Sequence, residues 1–172
     1  MLDFAINHQE SLNRLFRQSY LDSKYHYANC SSFADLDFSF DKTTWTNIQC
    51  ASLLDNQVIG YLSAKINRET YSVDSLYIAS YDDHAVSEFG KDLRKFLKDL
   101  FVVYKFNKIG WSVVIGNNVE INYDRMIQRL NGRIVGILKN DVKLINGTIC
   151  DRKLYEVTLD EYTNRRGRIN PP

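Results

Sequence analysis

Cysteine, histidine and nucleophilic serine supply most protein chemistry, and in this chain their spacing excludes the common uses of each. Cys30, Cys50 and Cys150 are far apart, with no Cys-x-x-Cys pair and no mixed Cys/His cluster. No tetrahedral zinc ligand set is therefore expected. Three such cysteines read as free, mostly buried thiols in a reducing compartment. His8, His26 and His84 are equally scattered and suggest no metal centre. No Gly-x-Ser-x-Gly elbow occurs, and no cysteine has a suggestive histidine near it. Neither a Walker phosphate loop nor a Gly-x-Gly-x-x-Gly fingerprint is present. An enzyme made from these residues is expected to work without a covalent nucleophile.

The remaining candidates are placed by regular elements. Phe89, Leu93, Phe96, Leu97, Leu100, Phe101 and Tyr104 recur at helical spacing, opposite Lys91, Arg94, Lys95, Lys98 and Asp99. Ser87 is the expected N-cap of this helix, with Glu88, Phe89 and Gly90 as its first turn. An apolar strand follows over 108–115 and ends at Gly116-Asn117-Asn118. A second helix carries Val119, Tyr123, Met126, Ile127 and Leu130 on one face and stops at Asn131-Gly132. Upstream, a helix is expected over 9–24. Strands over 47–54 and 57–67 join at Asp55-Asn56, and a third strand over 71–79 contains Asp74. The segment 33–41 alternates apolar and polar residues and reads as a strand or an ordered extended loop. A closing hairpin, 142–145 with 148–159, turns at Asn146-Gly147.

The 172 residues suit one domain, and 44% hydrophobic with 25% charged residues excludes a disordered or collagen-like chain. One mixed α/β domain is expected over 1–163, followed by a short, frayed basic tail over 164–172. The net charge of +1 gives no field to gather nucleic acid or membrane. Without Arg165, Arg166 and Arg168 the body balances at 19 basic against 21 acidic groups. Three arginines beside Gly167 and Pro171 read as a solvated end, so nucleic-acid binding is not expected. Residues 1–8 lack a basic start and an apolar run, and no apolar stretch spans a bilayer. The expectation is a cytoplasmic protein.

In this order the elements resemble the GNAT N-acetyltransferase superfamily, over the stretch 58–162. Ile59-Gly60-Tyr61-Leu62 is similar to the family's third strand, and Val73-Asp74-Ser75-Leu76-Tyr77-Ile78 to its fourth, with the usual apolar-Tyr-apolar triplet. The helix at Ser87 is similar to the CoA-binding helix. Asn117 with Tyr123, Asp124 and Arg125 resembles the Asn…Tyr-Glu-Lys pattern of the last family helix. Gly132-Arg133-Ile134-Val135-Gly136, with Asp151, Tyr155 and Glu156, resembles the closing strands of the ribosomal-protein acetyltransferase branch. The pyrophosphate loop departs from the pattern. The family usually has Arg/Gln-x-x-Gly-x-Gly/Ala, and Ala85-Val86-Ser87-Glu88-Phe89-Gly90 keeps only the last glycine.

The resemblance implies an α/β fold with a mainly antiparallel central sheet flanked by helices. It also implies transfer of an acetyl group from acetyl-CoA to an amine of a protein or small molecule. In the family the fourth and fifth strands splay, and main-chain groups at Leu76, Tyr77 and Ile78 would hold the pantetheine arm as an added strand. Ser87, Glu88, Phe89, Gly90 and Lys91 would receive the pyrophosphate at the helix N-terminus. Asn117 and Asn118 would contact CoA, Tyr123 would protonate the leaving thiolate, and Asp74 is the candidate base. No metal is implied. The closing hairpin is the candidate contact for a homodimer, and a GNAT-fold binding or assembly module without catalysis is the alternative.

Overall fold

A computed structural model describes residues 1–27 and 37–167, the side chains of 165–167 excepted. Seven strands form one sheet: β1 (Leu2–Phe4), β2 (Asn47–Leu54), β3 (Gln57–Asn67), β4 (Ser72–Ser80), β5 (Lys108–Val114), β6 (Arg133–Lys143) and β7 (Ile149–Thr158). They lie in the order β1-β2-β3-β4-β5-β7-β6, antiparallel except where β4 meets β5. The helices are α1 (Gln9–Ser19), α2 (Val86–Val102), α3 (Glu120–Leu130) and α4 (Leu159–Gly167). This is the expected mixed α/β architecture. Among the described residues no helix is long and apolar enough to cross a membrane.

Local chemistry sets the turns. Asp55 and Asn56 both have positive φ, 49° and 63°, as a tight type I′ hairpin requires. Gly147 at φ 88° serves the β6–β7 hairpin. Helix α3 ends in a left-handed Asn131, and Gly132 N–H returns to the Ile127 carbonyl at 3.0 Å, closing a Schellman motif.

The sheet buries both faces. Helix α2 lays Phe89, Phe96, Leu97, Leu100 and Phe101 on one face, against Leu62, Val73, Ile109 and Trp111, and α3 adds Ile127 and Leu130. Each such side chain contributes roughly 1.5–3 kcal/mol on burial. Leu12 of α1 covers the other face, against Ala51, Leu53 and Tyr61, with Phe38, Phe40 and Tyr77 packed beside them. Gly60 seats Phe89, since a Cβ there would stand 2.3 Å from its ring. A polar tie crosses the same region. The Asp92 carboxylate on α2 accepts from Ser52 Oγ at 2.7 Å and from the Met1 ammonium at 2.9 Å.

Several elements differ from expectation. Helix α1 stops at Ser19, and a separate 3-10 turn, Ser23–Tyr25, follows. Strand β6 is continuous from Arg133 to Lys143. It absorbs a register shift between Leu138 and Val142, where Asn140 takes φ 53°. Strand β1 and helix α4 were not expected, and α4 carries residues 164–167 on as helix. Residues 33–36 of the alternating segment lie outside the described residues, and 37–41 form no strand. Cys50 and Cys150 are half-buried free thiols, and Cys30 also lies outside the described residues.

Candidate active site

Strands β4 and β5 pair at only two positions, Ser72↔Lys108 and Val73↔Ile109. Beyond them the strands part, although β4 stays paired to β3 as far as Ser80 and β5 to β7 as far as Val114. Gly110 stands at the parting, where a Cβ would meet the Asp74 carbonyl oxygen at 3.4 Å. One edge of β4 is thereby left without a ladder partner, and strand edges in this state take up extended chains bearing amides.

The residues of β4 alternate across the sheet at this gap. Leu76 and Ile78 pack with the α2 core, whereas Tyr77 packs on the α1 side. Burial pushes the Tyr77 hydroxyl well above its usual range, and Tyr20, Tyr61, Tyr123 and Tyr25 add to the shift.

Helix α2 begins next to the gap. Val86 is its first residue, two earlier than a cap at Ser87 implies, so Ser87 lies inside the first turn. Ala85 holds the cap position and makes no side-chain cap. The amides of Val86, Ser87 and Glu88 bond no carbonyl outside the helix among the described residues. The Glu88 carboxylate turns to Lys91 Nζ at 2.5 Å. Its charge is therefore neutralised along the helix rather than aimed at the N-terminus. Around Gly90 the space is open, with Arg94 Nη1 the nearest atom to a built Cβ at 3.7 Å. Free amides, the helix dipole and a nearby guanidinium together favour an anion here.

Tyr123 occupies the first turn of α3, half-buried, with its ring edge-on to Tyr155 at 6.2 Å. Burial pushes its hydroxyl far up. α3 is held to the sheet by a polar network: Tyr155 Oη donates to Asp124 Oδ1 at 2.7 Å, and Lys153 Nζ bonds both Asp124 and Glu120. Asn117 Oδ1 accepts from Val119 N at 3.1 Å in the turn before α3, and Asn118 is exposed beside it. Asp74 is exposed at the closed end of the gap and accepts from Ser72 Oγ at 3.1 Å. Tyr77 is three steps further along the strand, about 10 Å away.

Two groups went unnoticed in the sequence. Trp111 on β5 is 3% exposed, and its Nε1 has no partner among the described residues. The Tyr81 hydroxyl, just past β4, is also buried without one. Eleven tyrosines in 172 residues were the available signal.

A parallel β4–β5 pair that parts next to a helix N-terminus, in an otherwise antiparallel sheet, decides the comparison with known structures. This is the GNAT fold. The spermidine N-acetyltransferase of Vibrio cholerae aligns with TM-score 0.72 and 17% identity, over 96% of this chain and 99% of that one. A Chromobacterium violaceum protein assigned to the GNAT family gives 0.71 and 15%, over 95% and 88%. A GCN5-related N-acetyltransferase from Brucella melitensis gives 0.68 and 14%, over 99% and 82%. No protein-family profile and no curated protein sequence matches the chain. The GNAT likeness is carried by backbone geometry.

Proposed function

We propose that this chain is an N-acetyltransferase that moves the acetyl group of acetyl-CoA directly to an amine. The observation that carries the proposal is the parting of β4 from β5 after Val73 and Ile109. The residues there fit the co-substrate. The free β4 edge at Leu76, Tyr77 and Ile78 would take the pantetheine arm. The open α2 turn from Ser87 through Glu88, Phe89 and Gly90 to Lys91 would take the pyrophosphate, with Arg94 adding charge. Asn117 and Asn118 would flank the arm from the α3 side, and the orphaned Trp111 Nε1 is a spare donor in the same region.

Acetyl-CoA supplies an activated thioester carbonyl, which the amine attacks as the thiol departs. Tyr123, like any tyrosine, carries a phenolic proton at neutral pH, and burial pushes its hydroxyl further up. In this reading it would give that proton to the departing sulfur. Asp74, exposed at the closed end of the gap, is the candidate acceptor for the amine's proton and would reach it through solvent. No nucleophile on the protein is required.

The setting we propose is the cytoplasm, where Cys50 and Cys150 would stay reduced. A near-neutral body speaks against nucleic acid as a partner. A homodimer through β6 also belongs to the proposal. That edge strand exposes Ile134, Val135, Ile137 and Leu138, and an antiparallel edge is complementary to its own copy. The test of function is calorimetry with acetyl-CoA, followed by thiol release over a panel of amines and peptides. Tyr123→Phe should lower turnover by roughly 10²–10⁴ and leave acetyl-CoA affinity nearly intact. Absence of binding at millimolar acetyl-CoA would overturn the proposal.

A further inference from the structure

Tyr123 enters the proposed reaction through its hydroxyl, and among the described residues that hydroxyl bonds nothing. No hydrogen bond aims it, so the direction of the ring is set by what flanks it. Tyr155 of β7 lies against the ring edge-on, with 6.2 Å between centroids and 87° between planes. The same side chain donates from Oη to Oδ1 of Asp124, the next residue of α3, at 2.7 Å. One side chain of the sheet therefore holds both Tyr123 and its neighbour.

Tyr155 is itself fixed. It is 2% exposed, faces Trp111 across β5 and β7, and stacks on the Trp111 ring at 5.5 Å and 14°. The two strands are laddered from Lys108↔Thr158 to Val114↔Arg152, so this pair of rings cannot shift without them.

A second bond repeats the first one turn away. Lys153 and Tyr155 are two residues apart on β7 and project from one face, roughly 6–7 Å from each other. Glu120 and Asp124 are four apart on α3 and stand one turn apart, roughly 5–6 Å. The spacings match. Lys153 Nζ pairs with Glu120 and lies 3.2 Å from Asp124 Oδ2, while Tyr155 takes Oδ1. Glu120 Oε2 also accepts from Gly116 N at 3.2 Å, which ties the end of β5 to the same helix turn. At its far end α3 sits close on β7, since a Cβ at Gly132 would stand 2.6 Å from the Glu156 carbonyl oxygen. Burial of Ile127 and Leu130 already fastens α3 to the sheet, but apolar contact is non-directional. The bonds at Glu120 and Asp124 add an angle, because turning the helix about its axis breaks both.

We infer that Tyr155, acting through Asp124, is a positioning residue for the transfer: it sets the rotation of α3 at which Tyr123 Oη faces the gap between β4 and β5. This rests on the proposed transferase function and adds to it a residue that touches neither acetyl-CoA nor the amine.

Tyr155→Phe keeps the ring and its stacking and removes the bond. In thiol release, kcat should fall about tenfold to a hundredfold, the scale of a small misplacement of a reacting group. KM for acetyl-CoA should stay within about twofold of the parent's, as for an interaction made only in the transition state. Asp124→Ala should match that loss. Asp124→Asn can still accept from Tyr155 and should keep kcat within about threefold. In the Tyr123→Phe background Tyr155→Phe should lower kcat no further, whereas a merely structural role would lower both backgrounds equally. NMR of tyrosine-labelled protein gives a readout independent of turnover. The Tyr123 ring signals, assigned by their loss in Tyr123→Phe, should shift in Tyr155→Phe and Asp124→Ala and stay in place in Asp124→Asn. An unchanged kcat in Tyr155→Phe, an equal loss in both backgrounds, or unmoved Tyr123 signals overturns the inference. If the parent chain releases no thiol from acetyl-CoA, the transferase function falls, and the NMR comparison still decides whether Tyr155 aims Tyr123.

Discussion

Gly60→Ala tests how α2 is held over the gap. A Cβ at this position would stand 2.3 and 2.5 Å from two Phe89 ring atoms and 2.7 Å from the Ala79 carbonyl oxygen. The ring can swing, but it is 7% exposed and has little room. The carbonyl belongs to β4, which is laddered to β3 at Gly60↔Ser80, and cannot yield without bending both strands. Overpacking of this kind costs typically 1–3 kcal/mol. For a domain of this size that is roughly 2–4 °C per kcal/mol, so the melting temperature should fall by about 2–12 °C. Phe89 sits in the first turn of α2, so the displaced ring carries the free amides of that turn with it. Acetyl-CoA affinity should drop together with stability. Differential scanning calorimetry and titration calorimetry on the same preparation measure both. Phe89→Leu in the Gly60→Ala background should recover part of the loss, with a coupling of about 0.5–3 kcal/mol for residues in contact. A Gly60→Ala chain with an unchanged melting temperature and full acetyl-CoA affinity would refute the seating of α2 on Gly60.

Three further outcomes are expected. Asp92→Ala strips Ser52, which is fully buried, of its acceptor and should cost about 1–3 kcal/mol in urea unfolding; adding Ser52→Ala should cost little more. Burial pushes the Cys50 thiol from 9.0 up to about 11. Between those values the unfolded chain ionises first, so stability should fall as pH rises from 9 to 11, and Cys50→Ala should flatten that decline. At Glu156 burial acts upward, but the Arg133 and Lys108 bonds outweigh it and hold the carboxyl below its usual 4.5. That stability is present above 4.5 and lost on acidification. Arg133→Ala should therefore weaken the fold at pH 7 and narrow its difference from pH 3, as read by denaturant midpoints.

Elements with strong local signals were legible from residues alone. The apolar face from Phe89 to Tyr104, with Ser87 as its cap, specified α2 within two residues at each end, and Asp55-Asn56 and Asn146-Gly147 specified two hairpins. Strand β1 was missed because three residues carry no period, and α4 because Leu159 reads equally well as the end of a strand. Ser87 has the chemistry of a cap, yet the helix starts at Val86. Phe89 finds its seat on Gly60, and tertiary packing sets the boundary. The gap between β4 and β5 has no residue signature, since it consists of pairing that stops. The aromatic core beside α1 is hidden for a related reason. Phe16, Phe38, Tyr61 and Tyr77 are spread over some sixty residues and meet only through the order of the strands.

The two rungs Ser72↔Lys108 and Val73↔Ile109 also have a mechanical meaning. On either side of them lie two stiff plates, β1 to β4 and β5 to β7, each laddered along its length. Plates fastened at one end behave like the arms of tweezers. The width of the opening at Ile78 is then the soft coordinate of the molecule, and the rungs at Val73 and Ile109, both fully buried, are its pivot. Amide exchange should be slowest at the pivot and should increase along β4 towards Ser80. A chain clasped between the arms would slow that exchange from the tip inward.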